Sequence, residues 1–143
     1  MTVLLVRHAV ARPRARWDDD DTLRPLTTRG ARQAEGLVKQ LSRYAATSVL
    51  SSPSVRCIDT VIPIADKRGL DVEVDRALAE GGSRAGLKLV RDLLEAGTDA
   101  VLCSHGDVIP DVVEALGFNC GRCAKGSTWI LDGKRAMYLP PPD

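Results

Sequence analysis

Residues 2–8 read Thr-Val-Leu-Leu-Val-Arg-His, and residues 99–106 read Asp-Ala-Val-Leu-Cys-Ser-His-Gly. Each is a short, unbroken apolar run that stops abruptly at a polar segment carrying a histidine. Such runs, rich in β-branched side chains, are the pattern of strands buried on both faces of a parallel sheet. Outward from these two, Ser48–Ser51 and Asp71–Val74 read as shorter strands, and Thr128–Leu131 and Ala136–Leu139 flank a turn at Asp132-Gly133-Lys134. Helical spacing recurs between them. Ala31, Ala34, Leu37, Val38 and Leu41 follow a Thr27-Thr28 cap and run to about Tyr44; a second helix starts at Ser52-Pro53, with Pro53 in its first turn, and runs to Lys67. Further helices are predicted over 84–95 and 108–116. Strands alternating with helices of this length predict an α/β fold, a three-layer sandwich whose central, mostly parallel sheet is flanked by helices.

Ligands of such sheets bind beyond the C-terminal ends of the strands. Three predicted strand ends carry polar groups: Arg7-His8, Ser51-Ser52 and Ser104-His105-Gly106. The chain's two histidines both lie there. A neutral imidazole is a good nucleophile near neutral pH, and its ordinary pKa of about 6.5 also lets it donate a proton. Arg7 and Arg56 offer planar forks that match phosphate oxygens. Two histidines and two arginines around one anion describe a phosphoryl-transfer pocket that needs no metal.

Composition narrows the alternatives. A chain of 143 residues is the size of one domain, read here as residues 1–143. Lys and Arg number 20 against 19 Asp and Glu, so the chain lacks the charge excess of a nucleic-acid binder, and its five aromatic residues leave little for base stacking. No apolar run approaches the roughly 20 residues of a membrane span, and the N-terminal apolar stretch is too short for a signal peptide. Four cysteines are too few for a disulfide scaffold of this length, so a reduced, cytoplasmic protein is expected. Cys57 and Cys103 read as small core residues. Cys120-Gly121-Arg122-Cys123 has redox spacing, but it follows a helix instead of opening one, and no second pair completes a zinc site.

LLVRHAVA at 4–11, SSPSVRCIDT at 51–60, LAEGG at 78–82 and LCSHGDVIP at 102–110 resemble, in order and spacing, the four signatures of the histidine phosphatase (phosphoglycerate-mutase-like) superfamily. The short chain and DTLRPLTTRGARQA at 21–34 are similar to the SixA-type phosphohistidine phosphatases, while KGSTWIL at 125–131 is nearer to phosphatase domains fused behind Nudix domains. The resemblance implies that His8 attacks phosphorus, that Arg7, Arg56 and His105 hold the phosphoryl oxygens, and that Glu80 protonates the leaving group. It implies no cofactor and no metal. The implied activity is that of a phosphohistidine phosphatase, with a small-molecule phosphomonoesterase or a non-catalytic phospho-ligand module as alternatives. Partners are then a phosphorylated protein or a small phosphoester, with no nucleic acid and no membrane. Ala9 and Ala11 stand where larger branches keep polar residues, and Asp107 adds negative charge beside the anion site.

The segment 12–24 is expected to be a long surface loop on the rim. There Arg16 and Arg24, with Arg12 and Arg14, are candidates to recruit an anionic substrate. Asp18–Asp21 reads as a solvated acidic run.

Overall fold

The computed structural model describes residues 1–143. Its strands are β1 (Val3–Arg7), β2 (Ser48–Ser51), β3 (Val72–Val74), β4 (Ala100–Ser104), β5 (Thr128–Leu131) and β6 (Ala136–Leu139). The helices are α1 (Thr28–Gln40), α2 (Val55–Arg68), α3 (Ser83–Ala96) and α4 (Val108–Ala115). The strands form one sheet in the order β3-β2-β4-β1-β5-β6. The first four are parallel, whereas β5 runs antiparallel to β1 and β6 antiparallel to β5.

The three layers follow from the alternation of side chains along the central strands. On one face Val3 and Leu5 of β1 and Leu102 of β4 pack with Val90 of α3 and with Ile109, Val112 and Val113 of α4. On the other face Leu4, Val6, Val101 and Cys103 pack with Leu37 of α1 and with Cys57, Val61 and Ile64 of α2. Strands with both faces covered have no room for polar side chains. That is why β1 and β4 read as continuous apolar runs.

Local chemistry sets the helix ends. The Thr27 hydroxyl accepts from the Gly30 amide at 3.1 Å and caps α1 as expected. Gly69 and Gly97, with φ of 67° and 70°, close α2 and α3 in the left-handed conformation that a glycine adopts without strain. Two boundaries differ from the sequence reading. Helix α1 stops at Gln40 instead of Tyr44, because residues 41–44 tighten into turns and the Arg68 guanidinium donates to the Leu41 and Tyr44 carbonyls at 2.9 and 2.8 Å. Pro53 lies ahead of α2, since the Ser52 amide is still bonded to the Cys103 carbonyl and Ser54 is the N-cap. At Gly30, a Cβ would stand 2.0 Å from the Val10 carbonyl oxygen, so only glycine lets α1 lie against the chain that leaves β1.

Residues 12–24 are more ordered than a free loop. A bridge between Ala11 and Leu26 closes the segment at its base, and two short 3-10 turns, Arg14–Arg16 and Asp21–Leu23, fold it back over the sheet end.

Candidate active site

The C-terminal ends of β1, β2 and β4 bring His8, Arg56 and His105 together. His8 is only 5% exposed, and its ring lies edge-on to that of His105 with centroids 5.6 Å apart. The His8 Nδ1 sits 2.8 Å from the Ala9 carbonyl. A carbonyl only accepts, so Nδ1 carries the hydrogen and Nε2 keeps its lone pair. Ala9, read from sequence as a missing ligand, thus sets the tautomer of the histidine before it. Its amide in turn donates to the Thr60 hydroxyl at 2.9 Å, which donates to the Arg56 carbonyl at 2.6 Å. This relay joins the end of β1 to the first turns of α2.

Burial, with the nearby Arg56, His105 and Arg7, pushes the His8 pKa down to about 3 against the favourable bond to Ala9. The free protein therefore holds His8 neutral through the whole physiological range. Between pH 3 and about 6.5 the unfolded chain binds the proton that the folded chain refuses, so stability rises with pH across that window. The stabilisation present at pH 7 should be lost progressively as pH falls below about 6.5. In NMR titration the His8 ring resonances should stay constant from pH 8 to pH 5, and an inflection near 6.5 would show that burial does not control the site.

His105 is 2% exposed and is held from behind. Its Nε2 shares a 2.7 Å hydrogen bond with the Ser52 hydroxyl, and the Cys57 sulfur lies 3.6 Å from the same nitrogen. Cys57 therefore backs His105 as well as being the core residue read from sequence. The His105 Nδ1 faces forward, 3.5 Å from both Arg56 Nη2 and Glu80 Oε2. Glu80 follows the turn Arg76–Leu78 and reaches Arg56 Nη2 at 2.9 Å and Arg14 at 3.2 Å.

Arg7 donates to the Cys123 carbonyl at 2.6 Å, and its guanidinium lies against Gly106, where a Cβ would stand 2.6 Å from the Arg7 Cζ. The Nε atoms of Arg7 and Arg56 are buried without a protein partner, two donors suited to an anion's oxygens. The segment after α4 is fastened here as well: the Arg7 amide donates to Ser127, and the Gly126 amide donates to the Arg7 and His8 carbonyls at 3.1 Å each.

Asp21 leaves the acidic run and joins the site. Its carboxylate lies 3.1 Å from Arg56 Nη2, 3.0 Å from Arg24 Nε and 3.3 Å from Arg14 Nε, and its carbonyl accepts from Arg56 Nη1 at 2.8 Å. Burial opposes ionisation, but the bond to Arg24 and the three arginine charges hold the Asp21 carboxyl below its usual range. Asp107 is committed elsewhere: one oxygen caps α4 at Val108, and the other accepts from the Gly81 amide at 2.8 Å. Its charge is thereby partly absorbed by backbone dipoles.

A cavity of about 420 Å³ opens over this cluster and has no hydrophobic residue in its wall. Arg7, His8, His105, Gly106 and Glu80 form its floor, and Arg12, Arg14, Arg24 and Lys125 part of its rim. Of the two rim arginines singled out from sequence, Arg24 lines the cavity with its guanidinium bonded to Asp21 and to the Arg12 carbonyl, whereas Arg16 lies outside the wall. Sequence reasoning missed Asp21, Thr60 and Lys125 as site residues, and it placed Ser52 at a ligand-facing strand end without giving it a role. A larger groove of about 600 Å³ between α1 and α2 contains neither histidine. No group of three His, Cys, Asp or Glu side chains is arranged to hold a metal ion, and no helix is long and apolar enough to cross a membrane.

The sequence profile of the histidine phosphatase superfamily (branch 1) matches residues 3–89. An 8-oxo-(d)GTP phosphatase of Mycolicibacterium smegmatis is 40% identical over 160 aligned residues, which cover 99% of this chain and 49% of that protein. The chain thus spans about half the length of this curated relative. Among solved structures, the protein histidine phosphatase SixA complexed with tungstate superposes with a TM-score of 0.82 at 22% identity, covering 99% of this chain and 97% of that one. A mycobacterial glucosyl-3-phosphoglycerate phosphatase gives 0.73 at 16% identity, covering 96% and 95%.

Proposed function

Because the chain belongs to the histidine phosphatase superfamily and a 40%-identical relative is named as a phosphatase, we propose that it transfers a phosphoryl group from its substrate to His8 and then to water. One observation carries this reading: a buried, neutral His8 whose Nε2 lone pair is fixed by the Ala9 carbonyl, beside Arg7 and His105 in the cavity wall, with Arg56 buried behind the wall against His105. Nε2 attacks phosphorus in line with the departing group. Arg7, Arg56 and His105 gather the three non-bridging oxygens, and their charge grows in value as the transition state develops in a partly dehydrated pocket. Glu80, next to Arg56 and His105, protonates the leaving oxygen and later takes a proton from the attacking water. Arginine and histidine supply the charge neutralisation for which other phosphatases use divalent ions. Turnover is accordingly expected to survive EDTA; loss in EDTA with recovery on adding Mg²⁺ would overturn this assignment.

For the substrate, the reading favoured here is a small phosphorylated molecule of the nucleotide class. One thing supports it: the 40%-identical relative is named for an activity on such a molecule. A protein phosphohistidine is the second reading, supported by likeness in fold to SixA. Glu80→Gln separates hydrolysis of a phosphate ester from hydrolysis of a phosphohistidine. An alkoxide, whose conjugate acid has a pKa on the order of 15.7, needs a general acid, whereas imidazole leaves readily once solvent has protonated it. The variant should lose about 10²-fold in kcat/KM on an alkyl phosphate, the lower end for a general acid because the amide still reaches Arg56. On a phosphohistidine peptide the loss should be far smaller. Equal losses would remove Glu80 from the role, and a native phosphohistidine rate well above the ester rate would reverse the order of the two substrates.

A further inference from the structure

The rim of the cavity holds more positive charge than one phosphoryl group uses. Of its arginines, Arg14 is paired with Glu80 and Asp21, and Arg24 with Asp21. Lys125 and Arg12 line the same wall and make no ion pair. Lys125 is instead crowded by like charge: partial burial first, then Arg7, Arg24 and Arg14, depress its pKa. Its backbone is fixed, because the next residue, Gly126, donates to the carbonyls of both Arg7 and His8, while two residues earlier Cys123 holds the Arg7 guanidinium. Gly126 has φ 82°, and a Cβ there would press on the Gln33 amide at 3.2 Å, so the turn that presents Lys125 is specified by its own glycine.

We propose that Lys125 and Arg12 form a second anion subsite that binds the phosphate adjacent to the one attacked by His8, so that the preferred substrate ends in a diphosphate. The inference rests on the phosphatase reading and narrows its substrate. Lys125 directly precedes the amide that braces Arg7-His8 and lines the same cavity as His8, and this adjacency is the basis for putting the second phosphate next to the first, as in an anhydride. The His8 Nε2–P bond forms as the bond from the terminal phosphorus to the bridging oxygen breaks. The leaving group departs with that electron pair as a phosphate monoester. Its conjugate acid has a pKa near 6, so this departure needs little help from Glu80. Water then displaces His8 from phosphorus, giving inorganic phosphate and releasing a proton to solvent by way of Glu80.

The test is equilibrium binding to the intact protein, which does not depend on turnover. Methylenediphosphonate, whose P–C–P link resists hydrolysis, should bind at least about tenfold more tightly than inorganic phosphate, the value of one added charge-assisted contact. Lys125→Gln should shrink that gap to about threefold or less, while Lys134→Gln, on the β5–β6 turn, should leave it intact. Equal affinity for the two probes, or a gap unchanged in Lys125→Gln, overturns the subsite. Tighter binding of propane-1,3-bisphosphonate than of methylenediphosphonate overturns the diphosphate end. A gap that behaves as expected in a protein that turns over no phosphate compound would leave the subsite standing and sink the phosphatase reading instead.

Discussion

His8→Ala should lower kcat by about 10⁴-fold or more, the scale on which removal of a covalent nucleophile acts. No neighbour can substitute. The other imidazole, His105, has its Nε2 engaged by Ser52 and its Nδ1 turned toward Arg56 and Glu80. The thiol of Cys57 lies behind His105, fully buried. The native protein, quenched in acid or in base during turnover of a ³²P-labelled substrate, should yield a phosphoryl group that survives base and is lost in acid, mapping to His8. Near-native activity in His8→Ala, or label on another residue, would end the two-step mechanism. Unchanged circular dichroism in the variant would assign the loss to chemistry and not to folding.

Gly106→Ala should cost about 10³-fold in kcat/KM while leaving the fold intact. The added methyl would meet the Arg7 Cζ, Nη2 and Nε at 2.6, 2.7 and 2.9 Å. These atoms are the far end of a flexible side chain, so the backbone need not shift, and Gly106 does not have a positive φ that would itself penalise alanine. The guanidinium must give way instead, although Cys123 holds its other side. Displacing one oxyanion donor typically costs about 10²–10³-fold, and moving the whole fork belongs at the upper end. Gly121→Ala is the control, since nothing lies within 4 Å of its added Cβ. A Gly106→Ala protein with native kcat/KM would show that Arg7 does not act from the position it occupies here.

Much of this site is legible along the chain because the sheet advertises it. A strand covered on both faces must be apolar throughout, so the residue at which polarity returns marks the ligand end. His8 and His105 are found that way before any coordinates. The same logic finds Arg56, which lies in the first turn of the helix after the strand ending at Ser51. Glu80 has no such flag and was reached through the LAEGG resemblance. Its ion pair with Arg56 gives the placement a physical basis. Other residues carry no local signal. Asp21 sits in a run of four aspartates that composition assigns to solvent, and only the folding of the 12–24 segment onto Arg56, 35 residues away, distinguishes it from Asp18. The Cys123 carbonyl enters through a contact with Arg7 spanning 116 residues, and Lys125 through the bond of the next residue, Gly126, to the Arg7 carbonyl. The Pro53 boundary failed for a related reason: a proline suits a first helical turn, but a bond from Ser52 to β4 extends the strand by one residue.

The order of the strands has a consequence for how the protein comes apart. β4 and β1 are neighbours at the centre of six strands, and the His8 amide is itself bonded to the Ser104 carbonyl at 3.1 Å. Amide hydrogens there exchange only when the middle of the sheet opens, which is the opening of highest free energy in a domain of this kind. The turns at 14–16 and 21–23 lie outside the sheet ladder and are tied to the rest of the site by the ion pairs of Asp21 with Arg56 and of Arg14 with Glu80, which salt and protonation weaken. On warming or acidification, discrimination among substrates should therefore decay before the capacity to form the phosphoenzyme does.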